Sequence, residues 1–184
     1  MRRARASDSV DSEALYCRCR PPWERIARHR TYESYVLDEV IPLIRSRDAA
    51  APLVAHGCSI GAYHAVNMAF RHPHVFRRVV GLSGRYDLTH EIGSFADLLD
   101  GYYDQDVYFQ MPSHFIPNLT DADMLDRLRA LNITLAVGED DPFCENTRQL
   151  SHALWDRGVP HQLSVWSGEA HRAREWRTMV RLYL

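Results

Sequence analysis

The chain has 184 residues, 46% of them hydrophobic and 25% charged, with a net charge of −2. That length suits one domain with a buried core, and the near-balanced charge gives no reason to expect nucleic acid or an anionic membrane as partner. No apolar run approaches the ~20 residues of a membrane span. The basic start (Arg2, Arg3, Arg5) runs into polar and acidic residues instead of an apolar signal core, so a cytoplasmic location is expected.

In chain order, Cys17-Arg-Cys19 comes first, too isolated for a zinc site, which needs about four ligands at usable spacings. With Cys58 and Cys144 it completes the cysteines, all expected as reduced thiols. Pro21-Pro22 open a helical stretch over 23–47, where Tyr32, Val36, Val40 and Leu43 keep helical spacing and Leu37, Ile41 and Ile44 widen the stripe. Pro42 should kink or shorten that helix. An apolar strand at 52–56 precedes a helix that stops by His72-Pro73. The next strand is 78–82. Segment 88–120 mixes aromatics and turn residues and is expected as a lid or loop insertion over a site. A short amphipathic helix at 121–131 leads to a buried strand at 133–137, a helix at 145–157 closed by Gly158, a last strand at 161–166 and a final helix from Ala173. Strands alternating with helices predict a mostly parallel sheet with helices on both faces, in one domain over 1–184.

Between the first strand and its helix stands Gly57-Cys58-Ser59-Ile60-Gly61, a G-x-S-x-G sequence in the setting of a nucleophile elbow. A serine on such a turn projects its Oγ clear of the sheet, and flanking glycines keep the crowded backbone free of side chains. The Ile60 N–H, at the helix N-terminus, can then donate to a developing oxyanion. A serine nucleophile needs a base, and the base needs an orienting carboxylate. In this architecture the chain order is serine, acid, histidine, each at the C-terminal end of a strand. The strand 133–137 ends in Glu139, Asp140 and Asp141, and the strand 161–166 is followed by His171. Spacing alone does not choose among the three carboxylates, any of which could instead cap the next helix. His56 and His64 lie near the elbow without a defined role, and Cys58 reads as a small packed residue.

Residues 57–67, Phe70-Arg-His-Pro73, Leu82-Ser-Gly-Arg-Tyr-Asp87, Gly101-Tyr-Tyr-Asp104, 138–143 and 166–171 resemble the bacterial esterases of the α/β-hydrolase superfamily that stand beside esterase D (S-formylglutathione hydrolase) and the mycobacterial mycolyltransferase antigens. The resemblance covers nearly the whole chain. Relatives carry the acid in a G-x-x-D-x-F arrangement, which Gly138, Asp141 and Phe143 match, so the resemblance selects Asp141. It implies a serine hydrolase of a small acyl ester or thioester, working through an acyl-enzyme without metal or cofactor. Ser59, His171 and Asp141 would form the triad.

The same resemblance implies an N-terminally truncated fold, because family members carry three or four strands before the segment matching residues 9–13. Those strands would bring the second oxyanion donor and cover the sheet edge. Two further expectations follow: self-association through an uncovered edge, and, as the alternative function, a non-catalytic α/β-hydrolase-like fragment with an incomplete oxyanion hole.

Overall fold

The computed structural model describes residues 19–184. Its helices are α1 (Pro22–Tyr35), α2 (Ile41–Arg47), α3 (Ile60–Arg71), α4 (Gln105–Gln110), α5 (Pro112–Phe115), α6 (Ala122–Ala130), α7 (Cys144–Asp156) and α8 (Ala173–Tyr183). A π-helical turn over Val36–Val40 joins α1 to α2, and a 3-10 turn over Ile116–Asn118 follows α5. The strands β1 (Val54–Cys58), β2 (Arg78–Leu82), β3 (Asn132–Gly138) and β4 (Gln162–Trp166) form one sheet in the order β1-β2-β3-β4. All three pairings are parallel, with Val54 opposite Arg78, Val79 opposite Ile133 and Leu135 opposite Leu163. Parallel neighbours require crossovers: α3 links β1 to β2, the segment carrying α4, α5 and α6 links β2 to β3, and α7 links β3 to β4.

Alternation along the strands sorts the side chains into two layers. Val79, Ile133 and Leu135 enter a core with Ala62, Val66 and Phe70 of α3 and Leu150 and Leu154 of α7. Val80, Leu82 and Ala136 point the other way, onto Met179 and Tyr183 of α8. The sheet is therefore covered on both faces, as the alternation of elements predicts. β2 falls on the expected residues, while β1 sits two residues later than expected. The reason is register: Gly57 and Cys58 still pair, opposite Gly81 and Leu82.

The N-terminal helical limb departs from its expected stripe. Proline at 42 has no N–H to donate and its ring crowds the carbonyl four residues back. The π turn just before it, closed by the Ile41 N–H on the Val36 carbonyl, accommodates that conflict. Tyr32, Val36 and Val40 are only half-buried and Leu43 and Ile44 are exposed. The residues α1 buries are Arg25, Ile26, His29 and Glu33, a stripe mostly of polar side chains at four-residue spacing. Each has a partner. Arg25 pairs with Asp100 at 2.8 Å and donates to the Leu98 carbonyl at 2.9 Å. Asn67 donates to His29 at 3.1 Å and to Gln110 at 2.6 Å. Glu33 takes Arg71 and His72 at the end of α3.

Segment 88–120 belongs in large part to the core: Leu88, Leu99, Val107 and Met111 pack with Ile26 and Tyr63. Asp104 caps α4 by accepting the Val107 N–H at 2.8 Å. Among the described residues no strand pairs with the outer side of β1, which instead borders a cavity of about 380 Å³ shared with Tyr32, Val36, Val40 and Ile44. Cys58 and Cys144 are free thiols, whereas Cys19 is disulfide-bonded, which corrects the expectation of reduced thiols throughout. Among the described residues no helix is long and apolar enough to cross a membrane.

Candidate active site

Ser59 stands between β1 and α3 with φ 54° and ψ −123°, a backbone region that non-glycine residues avoid. Its N–H is tied to the Leu82 carbonyl at 2.9 Å, and its carbonyl accepts from Ala62 at 3.0 Å to start the helix. The turn is tight enough that a Cβ on Gly57 would sit 2.1 Å from the backbone carbon and oxygen of Gly61. The two glycines are not equivalent, because a Cβ on Gly61 meets nothing within 4 Å. Ile60 is the first residue of α3, so its N–H has no acceptor within the helix.

At the neighbouring strand ends the structure brings Asp141 and His171 together: Oδ1 and Nδ1 lie 3.4 Å apart. Asp141 is buried, and its Oδ1 also accepts the Phe143 N–H at 2.9 Å. That bond spans two residues and is an Asx turn, while the cap position of α7 is Phe143. Burial pushes the Asp141 carboxyl up. His171, the Phe143 N–H and the Ser83 hydroxyl outweigh that push and hold its pKa below the ordinary value. Glu139 and Asp140 are exposed, and Glu139 is taken by the Gly168 N–H at 3.0 Å. The acid and histidine loops touch directly, since a Cβ on Gly138 would lie 2.4 Å from the Gly168 carbonyl oxygen.

The His171 ring packs edge-on against Phe143 and Trp176, with centroids 5.2 and 5.0 Å away, and Phe95 lies 5.9 Å off. Phe95 thus brings part of segment 88–120 to this histidine. Trp176 is anchored through its indole N–H on Ser83 Oγ at 3.1 Å. Ser83 shares a positive φ, 50°, but is fully buried. Its place after β2 could have been read from the sequence, though its bond to a tryptophan 93 residues away could not. No hydrogen bond joins Ser59 to His171. His56 bonds the Val80 carbonyl at 3.2 Å and His64 stacks on His29 at 4.8 Å. Burial raises the Cys58 thiol pKa, which keeps it protonated and a poor nucleophile. Among the described residues the group with metal-ligating atoms in mutual reach is Asp87, His90 and His114.

Residues 19–180 match the sequence profile of a family described as "Putative esterase". Among solved structures, a ferulic acid esterase superposes with a TM-score of 0.66 at 22% identity, over 83% of this chain and 58% of its own. S-formylglutathione hydrolase from Staphylococcus aureus gives 0.54 at 16% identity, over 93% and 73%. The Pyrococcus horikoshii acylaminoacyl peptidase gives 0.55 at 16% identity, over 92% and 29%. At these identities the structures establish the α/β-hydrolase fold, and the chain spans a little over half the length of the ferulic acid esterase. No protein with a curated description matches the sequence. The profile match runs over nearly all of the chain, which therefore belongs to this esterase family.

Proposed function

We propose that the chain is a serine hydrolase of carboxylic esters or thioesters, with Ser59 as nucleophile, His171 as general base and acid, and Asp141 as the acid that orients it. What supports this assignment is one juxtaposition. A strained serine follows β1 at the C-terminal ends of the strands, where a buried, ionised Asp141 also meets His171.

Ser59 Oγ attacks the acyl carbon as its proton passes to His171 Nε2, and the Ile60 N–H receives the carbonyl oxygen as it gains charge. Asp141 holds Nδ1 and stabilises the imidazolium. Collapse expels the alcohol or thiol, which takes the proton from His171, and water then releases the acid from Ser59 by the reverse path. The bond from Ser59 to His171 forms along this path, as catalytic hydrogen bonds are commonly long in unliganded enzymes. Phe95, beside the histidine, gives segment 88–120 a place at the mouth of the site. A fluorophosphonate probe followed by peptide mapping tests the assignment. Label is expected on Ser59 and is lost in Ser59→Ala; label on Ser83 or Ser167 with Ser59 untouched overturns it.

A further inference from the structure

We propose that Asp87, His90 and His114 form a binding site for one divalent transition-metal ion, with Zn²⁺ as the ion that fits the donor set. Asp87 leaves the C-terminal end of β2, His90 stands three residues on, and His114 comes from α5. Asp87 Oδ2 is 2.9 Å from His114 Nε2 and 3.3 Å from His90 Nε2, and the three ligating atoms all lie within 4.8 Å of one another. An ion held tetrahedrally by bonds of about 2.0–2.1 Å separates its ligand atoms by about 3.4 Å, close to the two Asp87 separations, and a turn of the exposed His90 ring closes the remaining gap to His114. Two imidazole nitrogens with one carboxylate oxygen are a common catalytic-type ligand set for such ions, leaving coordination positions open.

The surrounding bonds aim these atoms at one point. Asp87 Oδ1 accepts the Thr89 N–H at 2.8 Å and the Thr89 hydroxyl at 2.7 Å, which leaves Oδ2 to face the histidines. The backbone of Asp87 is fixed by its N–H on Asn146 Oδ1 at 3.2 Å. His114 Nδ1 lies 3.0 Å from the Tyr103 hydroxyl. With Nε2 on the ion, the Nδ1–H donates to the Tyr103 oxygen, the outer bond that metal-binding histidines ordinarily make. Asp87 is buried and His114 nearly so, while His90 is exposed and can swing onto an entering ion. The open positions face a cavity of about 570 Å³ lined by Thr89, Tyr102, Tyr103, Tyr108, Ser113 and Asn118, with room for water or a small anionic ligand. Nothing in the spacing of 87, 90 and 114 announces this set, because the third ligand arrives from a separate helix.

Zn²⁺ titration of the metal-stripped chain against a chromophoric chelator tests the site. Co²⁺ substitution reports geometry through its visible absorption. One Zn²⁺ per chain is expected, with affinity falling on the order of tenfold or more in His90→Ala, His114→Gln and Asp87→Asn, and by a smaller factor in Tyr103→Phe. Zn²⁺ should raise the melting temperature of the parent and not of His90→Ala. If the buried positions fail to fold when changed, which circular dichroism shows, the exposed His90 decides alone. No binding by the parent, or binding undiminished in His90→Ala, overturns the proposal.

Discussion

Ser59 holds a backbone conformation of the kind that costs on the order of 1–3 kcal/mol, and its neighbours determine whether it can persist. Gly57 is the neighbour that cannot change, since an added Cβ would strike Gly61 backbone. We expect Gly57→Ala to destabilise by about 2 kcal/mol or more. Gly61→Ala, in an open helical position, should be neutral or stabilising by up to ~1 kcal/mol. Urea unfolding of the two variants checks this, and equal losses would mean the turn is looser than 2.1 Å implies. At the other end of the site, Asp141→Asn should slow ester hydrolysis far more than Asp140→Asn. The first removes the carboxylate that fixes the tautomer of His171 and stabilises its imidazolium, a change worth about 10⁴ in a serine protease. The second alters an exposed carboxylate without a partner among the described residues, worth less than about tenfold. Turnover of p-nitrophenyl acetate separates them, and a larger loss for Asp140 would move the role.

The interface between α1 and α3 carries a pH dependence of its own. Burial lowers the pKa of His29 to about 4, with Glu33 raising it and Arg71 lowering it in smaller measure. Burial, with His29 as neighbour, lowers that of His64 to about 3. Both folded values lie below the unfolded value of about 6.5, so the unfolded chain takes the proton first. The stability these groups contribute is complete above that value and lost as pH falls, by up to about 2 kcal/mol each at pH 5. For Glu33, burial raises the pKa, but His72, Arg71 and Gln110 prevail and lower it, so its contribution is lost only in a more acid window. Denaturation midpoints from pH 7 to 5 should fall, and His64→Phe, which keeps the ring against His29 and Tyr32, should flatten the fall. A flat profile in the parent would refute it. This interface also marks the limit of what was legible in the sequence. Strands such as 78–82 and the elbow declare themselves through contiguous apolar runs and one strained turn. The face of α1 does not, because its buried stripe is mostly polar, with Arg25, His29 and Glu33 in place of an apolar period. Their burial depends on Asp100, Asn67, Gln110 and Arg71, partners that only the folded chain assembles. Asp141 and His171 were legible as members of two loops in the right order, but preferring Asp141 to Glu139 and Asp140 needed the resemblance, and the 3.4 Å contact between them arises only in the folded chain.

At the scale of the whole molecule, the sheet is closed unevenly. β2 and β3 are paired on both sides and β4 ends the sheet next to the site, while β1 pairs with β2 alone among the described residues. Beside that open side lie Val54, 45% exposed, and Leu43 and Ile44, 56% and 39% exposed. Unpaired N–H and C=O groups next to apolar side chains form a template for another strand, and a natural edge is usually blunted by charge, proline or a covering element. The π turn and α2 stand over this side but leave a cavity of about 380 Å³ between themselves and the strand instead of filling it. The 184-residue chain is therefore expected to associate in solution through β1. A lysine at the exposed start of the strand, Val54→Lys, introduces the charge that edges normally carry, so it should reduce association without touching either core layer. Light scattering across a concentration series checks both forms. A parent that stays monomeric at all concentrations, or association that Val54→Lys leaves unchanged, would show that α2 and its π turn already shield the edge.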